Sequence, residues 1–118
     1  MKKVLIVDDS KISRNSIEKV FVELQYEVVG KAIDGVDGFE QFKLLNPDII
    51  TVDIEMPNLD GIGLIKLIKE QNKKVTVIVV TSTVNSQTIH EVVRYGAAVV
   101  KKPIKIARLV NAIKLLNR

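Results

Sequence analysis

The chain has 118 residues, 47% of them apolar, enough to fill one core without help from a metal or a disulfide. The absence of cysteine excludes a disulfide framework and thiolate metal sites and fits a reducing compartment, so the expected location is the cytoplasm. A net charge of +4 rests on lysines spread along the chain, with 4% aromatic residues; that is the pattern of solvated helix faces, and no direct contact with nucleic acid is expected.

The N-terminus, MKKVLIVDDS, has the two lysines and apolar run of a secretion signal, but Asp8 and Asp9 break the run, and it reads as a first strand, Val4–Val7. No apolar stretch approaches the roughly 20 residues a bilayer requires, so no membrane insertion is expected. Ile17, Val20, Phe21 and Leu24 fall at helical spacing and predict an amphipathic helix. A short apolar pair, Val28–Val29, marks a second strand, and Phe39 and Phe42, like Phe21, read as core beneath helices. The third strand, Ile49–Val52, ends on Asp53, with Pro47 before it and Pro57 after it. Asp60 ahead of Gly61 reads as a turn or helix cap.

The fourth strand, Val75–Val80, leads to Thr81 and Ser82. His90, beside Ile89 and Val92, reads as a surface residue of a fourth helix rather than a phosphotransfer group. The fifth strand, Ala98–Val100, leads to Lys102 and Pro103, and Ile106, Leu109, Val110 and Ile113 give the last helix its apolar stripe. Strand followed by helix, repeated along one chain with strands apolar on both faces, specifies an α/β fold: a doubly wound parallel sheet with helices on both faces, formed by residues 1–118 as one domain.

In such folds ligands bind at the carboxyl ends of the strands. The residues there are Asp8 and Asp9, then Asp53 with Glu55, then Thr81, then Lys102. Neighbouring strands lie about 4.8 Å apart, so these carboxylates crowd together. A unit-charge pair at about 5 Å costs roughly 3 kcal/mol at an effective dielectric near 20, which calls for a compensating cation. An all-oxygen ligand set suits magnesium better than zinc. A carboxylate beside that ion and a lysine is equipped to attack phosphorus, with Thr81 placed to hydrogen-bond the product. Taken singly, each residue has a plainer reading: Asp8 or Asp9 as a helix cap, Asp53 as a turn residue, Lys102 as a surface charge. Their joint placement favours a site.

The segments VLIVDDS, DIITVDIEMPNLDG, VIVVTS and KKP, in this order, resemble the receiver domain of response regulators over essentially the whole chain. The resemblance implies a five-stranded flavodoxin-like sheet of order 2-1-3-4-5. It implies Asp53 as phosphoacceptor, Asp9 and Asp53 as magnesium ligands with the Glu55 backbone carbonyl, Asp8 acting through water, Thr81 as switch hydroxyl and Lys102 as phosphoryl contact. It also implies a cis Lys102–Pro103 bond, and it matches Pro57 and Gly61 to the loop after the acceptor. Glu55 and Thr83, two positions beyond Asp53 and Thr81, would border the route of attacking water. Two departures stand out: Val99 occupies a place usually held by an aromatic residue, and the span from Gly96 to Lys102 is one residue short. Both bear on the surface of the fourth helix, fifth strand and fifth helix.

The function expected is a two-component phosphorylation switch, charged by a histidine kinase and acting on a downstream protein, possible roles including chemotaxis; it would catalyse only its own phosphoryl transfer and hydrolysis. Because the sequence stops at Arg118, soon after the fifth helix, a stand-alone switch is expected, with a receiver cut from a larger DNA-binding or effector regulator as the alternative. An enzyme or flavin carrier on the same fold fits poorly, since DDSKIS places carboxylates where a phosphate loop is needed and no GxxxxGK[ST] occurs. A receiver-like module working without phosphate is disfavoured by the intact acceptor, metal and lysine positions.

Overall fold

A computed structural model describes residues 2–56, 58–82 and 84–116. Pro57, Thr83 and Arg118, named above, lie outside the described residues. The elements alternate along the chain: β1 (Lys3–Val7), α1 (Lys11–Glu23), β2 (Glu27–Ala32), α2 (Gly35–Leu45), β3 (Ile49–Val52), α3 (Gly61–Gln71), β4 (Thr76–Thr81), α4 (Ser86–Arg94), β5 (Ala98–Lys101) and α5 (Ile106–Leu116). The strands form one sheet of order β2-β1-β3-β4-β5, every pair parallel, which is the order the resemblance implied. The Lys102–Pro103 peptide is cis.

Successive strand residues face opposite sides, so the sheet divides the core in two. Leu5, Val7, Ile50, Val52, Val77 and Val79 face α2, α3 and α4, packing on Phe42, Leu64, Ile65, Ile68 and Val92. Val4, Ile6, Ile49, Ile78, Val80 and Val100 face α1 and α5, packing on Ile17, Phe21, Leu109, Ala112 and Ile113. At about 1.5–3 kcal/mol per fully buried large apolar side chain, these two layers supply most of the favourable folding energy.

Two expectations shift. β2 runs from Glu27 to Ala32, longer than its apolar pair, because at the sheet edge the exposed Glu27 and Lys31 meet water while Ala32 is buried. In α5, Leu109 and Ile113 are covered as expected, joined by Ala112, but Ile106, the first residue of the helix, stays 41% exposed.

Helix ends follow side-chain chemistry. Ser10, Asp34, Asp60 and Asn85 accept from the backbone N–H three residues on and cap α1, α2, α3 and α4. Lys43, Lys69, Arg94 and Lys114 stand in the last turns of α2 to α5, where cations offset the exposed carbonyl ends. Lys69 also donates to the Val75 carbonyl at 2.8 Å, and burial lowers its pKa.

One core group is out of place. The Thr51 hydroxyl, on the α1 and α5 face of β3, is buried and has no hydrogen-bond partner among the described residues. Thr51→Val keeps the shape and removes a desolvated hydroxyl, so it is expected to raise stability by about 1 kcal/mol, read as a higher urea midpoint with unchanged slope.

Candidate functional site

The sheet reverses its winding between β1 and β3, and the crevice at their carboxyl ends is where the acidic residues collect. Both strands carry their ladder one residue beyond the last strand position: Asp8 N–H donates to Ala32 O at 3.0 Å and Asp53 N–H to Val7 O at 3.1 Å. Asp8 and Asp53 therefore leave the sheet from a rigid backbone. Both are buried, while Asp9 is exposed. One carboxylate oxygen from each of Asp8, Asp9 and Asp53 lies within 4.8 Å of the other two.

Lys102 closes this group from β5. Strand alternation turns Lys101 to solvent and Lys102 inward, and Lys102 N–H donates to Thr81 O at 2.9 Å. Its ammonium donates to Asp53 Oδ2 at 3.0 Å and lies 2.8 Å from Asp8 Oδ2. Asp8 Oδ2 is buried, and Lys102 is the cation that meets it among the described residues. Burial pulls the Lys102 pKa down, but the Asp8 and Asp53 carboxylates outweigh it and the net direction is up.

The other oxygens are tied locally. Ser10 N–H donates to Asp8 Oδ1 at 2.9 Å and Glu55 N–H to Asp53 Oδ1 at 3.2 Å. The Glu55 side chain is exposed and stands outside the three-carboxylate group. Thr81 is buried at the end of β4, beside β3. His90 is exposed on α4.

Sequence reasoning placed Gly61 and the Asp60 cap in the loop after Asp53 but missed what that loop packs against. Gly61 brings the start of α3 against the Asp53 carbonyl: a Cβ there would stand 2.4 Å from Asp53 O, so only glycine fits. Asn58, with φ of 69°, donates through Nδ2 to Asp34 Oδ2 at 2.8 Å. The Asp37 backbone N–H and then Asn58 hold the Asp34 carboxyl below its usual pKa. Gly35 lets the Leu59 carbonyl approach the start of α2. The D-x-x-D spacing of Asp34 and Asp37 signals a cap; nothing in the sequence signals the reach from Asn58 to it.

Three carboxylates and one ammonium leave a formal local charge of −2. Each carboxylate pair within 4.8 Å repels by roughly 3 kcal/mol. An all-oxygen set with one exposed member matches a hard divalent cation that keeps part of its water. The residues present thus fit magnesium.

Comparison with known proteins agrees with this geometry. Residues 4–114 match the model of the response regulator receiver domain. The chain belongs to that family. It is 34% identical over 118 residues to the chemotaxis protein CheY of Thermotoga maritima, covering 99% of this chain and 98% of that protein. It is 47% identical over 72 residues to a protein-glutamate methylesterase/protein-glutamine glutaminase of Lawsonia intracellularis, covering 60% of this chain and 20% of that protein. Among solved structures, a CheX-CheY-BeF3-Mg2+ complex from Borrelia burgdorferi superposes with a TM-score of 0.92 at 28% identity, covering 99% of this chain and 90% of that one. The chain is therefore a CheY-like receiver domain of the two-component type, a class of signalling proteins.

The departure at Val99 falls on the opposite side of β5 from the Lys102 contact. Val99 is half-buried and lines an apolar groove of about 670 Å³ between α4 and α5, with Val84, Ile89, Val93 and Leu115.

Removing Lys102 leaves two buried carboxylates facing each other. Lys102→Met is expected to destabilise the metal-free protein by about 3 kcal/mol, with millimolar magnesium restoring much of the loss, measured by urea unfolding with and without the ion. In the wild type the pH dependence follows from the raised lysine pKa. Its stabilisation is complete below the ordinary lysine value of 10.5 and is lost as pH climbs through the higher folded-state value. Thermal unfolding between pH 9 and 12 should show the midpoint falling at the alkaline end, and Lys102→Met should flatten that fall.

Proposed function

We propose that this receiver is a phosphorylation switch in which Asp53 takes a phosphoryl group from the phosphohistidine of a partner kinase. The observation that carries this reading is the Lys102 ammonium, 3.0 Å from Asp53 Oδ2 and 2.8 Å from Asp8 Oδ2, inside a three-carboxylate group that is still two charges in excess. In the proposed step an Asp53 oxygen attacks phosphorus, the phosphorus–nitrogen bond to the donor imidazole breaks, and the imidazole leaves with the electron pair. The product is an acyl phosphate on Asp53.

Asp9 and Asp53, with the backbone carbonyl of Glu55, would hold magnesium directly, and Asp8 would act through water. When bound, the ion supplies charge neutralisation at the phosphoryl oxygens. Lys102 would follow the charge, from Asp53 Oδ2 onto a phosphoryl oxygen. Thr81, on the adjacent strand end, is assigned as the hydroxyl that hydrogen-bonds the phosphoryl group and so moves the β4–α4 connection. Glu55, exposed at the rim, would border the water that later hydrolyses the acyl phosphate. The output is a change in affinity for a protein partner, and a chemotaxis role in the cytoplasm is the pathway suggested by the CheY relatives.

A second reading has support in one observation: the methylesterase relative carries its matching segment within a much longer protein. On that reading the same switch would govern an attached effector.

Incubation with magnesium and acetyl phosphate, followed by intact mass spectrometry, is expected to show a gain of one phosphoryl group, labile to base and abolished by Asp53→Asn. Omitting magnesium should slow its formation by two orders of magnitude or more. An adduct that survives Asp53→Asn would move the acceptor elsewhere.

A further inference from the structure

We infer that Arg14 is a positioning residue for divalent-cation binding, acting through the peptide that joins Asp8 to Asp9; this rests on the metal reading above. After Val7 the chain leaves the sheet. Asp8 N–H still pairs with Ala32 O, but the Asp8 carbonyl is taken by a side chain, the Arg14 guanidinium, whose Nη1 donates to it at 2.8 Å. That carbonyl belongs to the Asp8–Asp9 peptide, so its orientation decides how a buried and an exposed carboxylate diverge from one turn.

The turn is held at both ends. Ser10 N–H donates to Asp8 Oδ1 at 2.9 Å, and the Ser10 hydroxyl accepts from Ser13 N–H at 3.3 Å and begins α1. Arg14 stands one turn into that helix, half-buried. Helix and strand end are thereby locked together around two candidate ligands. A guanidinium suits the task because its charge is permanent and its planar fork is rigid, whereas an ammonium on a flexible stem fixes direction poorly.

The Arg14 charge also acts against the proposal, since a cation near the site repels another cation. That repulsion is weakened by solvent at a half-exposed group. The hydrogen bond fixes geometry, on which a hard cation with short oxygen contacts depends steeply. Positioning therefore outweighs repulsion, and losing Arg14 weakens binding.

The test is a magnesium titration of the full chain, followed through backbone amide NMR shifts, on wild type, Arg14→Met, Arg14→Lys and, as a distant charge control, Arg94→Met. Loss of a group that orients a ligand typically lowers metal affinity about ten-fold or more. Arg14→Met is therefore expected to raise the dissociation constant by about that factor, Arg14→Lys by less, and Arg94→Met hardly at all. Saturating magnesium should restore the yield of phosphorylated Asp53 in Arg14→Met. If Arg14→Met does not fold, Arg14→Lys carries the test, and equality with wild type overturns the inference. Unchanged or tighter binding in Arg14→Met also overturns it, leaving the magnesium reading intact. A wild-type chain that binds no magnesium defeats both.

Discussion

Three carboxylates in a space less than 5 Å across repel one another, and the architecture answers that repulsion with a single lysine from a different strand. Lys102 reaches Asp8 from β1 and Asp53 from β3, so three strand ends separated in sequence are fastened at one point. The fastening is incomplete by two charges. A rim with that deficit has the chemistry to suit a hard divalent ion.

The scaffold beneath is built to hold those groups still. Asp8 and Asp53 each extend a parallel ladder by one more hydrogen bond before their side chains turn into the crevice. Behind them lie two apolar layers in which the strand residues are almost fully buried. The loop beyond Asp53 has its own anchors: Asp60 caps α3, Gly61 presses on the Asp53 carbonyl, and Asn58 reaches the cap of α2. These contacts tie the loop to the starts of both α2 and α3.

Much of this was legible in the sequence, and the rest was not, for physical reasons. The central strands declare themselves because burial on both faces writes an unbroken apolar run, as in Val4–Val7 and Ile49–Val52. The edge strand β2 is half solvated, so Glu27 and Lys31 obscure its extent. The stripe of α5 held at Leu109 and Ile113, with Val110 half-buried, and failed only at Ile106, a first-turn residue with the right spacing that stays exposed. Asp8, Asp9, Asp53 and Lys102 could be placed together because every parallel strand delivers its last residue to the same rim. Arg14 and Asn58 could not: each acts through a turn whose path is settled only after the surrounding elements pack. Val99 could be flagged by its size and assigned to the surface of α4, β5 and α5, where it does line a groove; the groove's depth depends on how those helices pack.

Parallel winding also sends every helix in the same direction, with its start toward the acidic rim and its end toward the far pole. The last-turn cations Lys43, Lys69, Arg94 and Lys114 gather at that far pole, each opposing the partial negative charge of a helix terminus. Part of the alkaline isoelectric point, near 9.4, thus comes from how helices are finished off. Two relatives with this architecture can differ widely in overall charge while presenting the same reactive face.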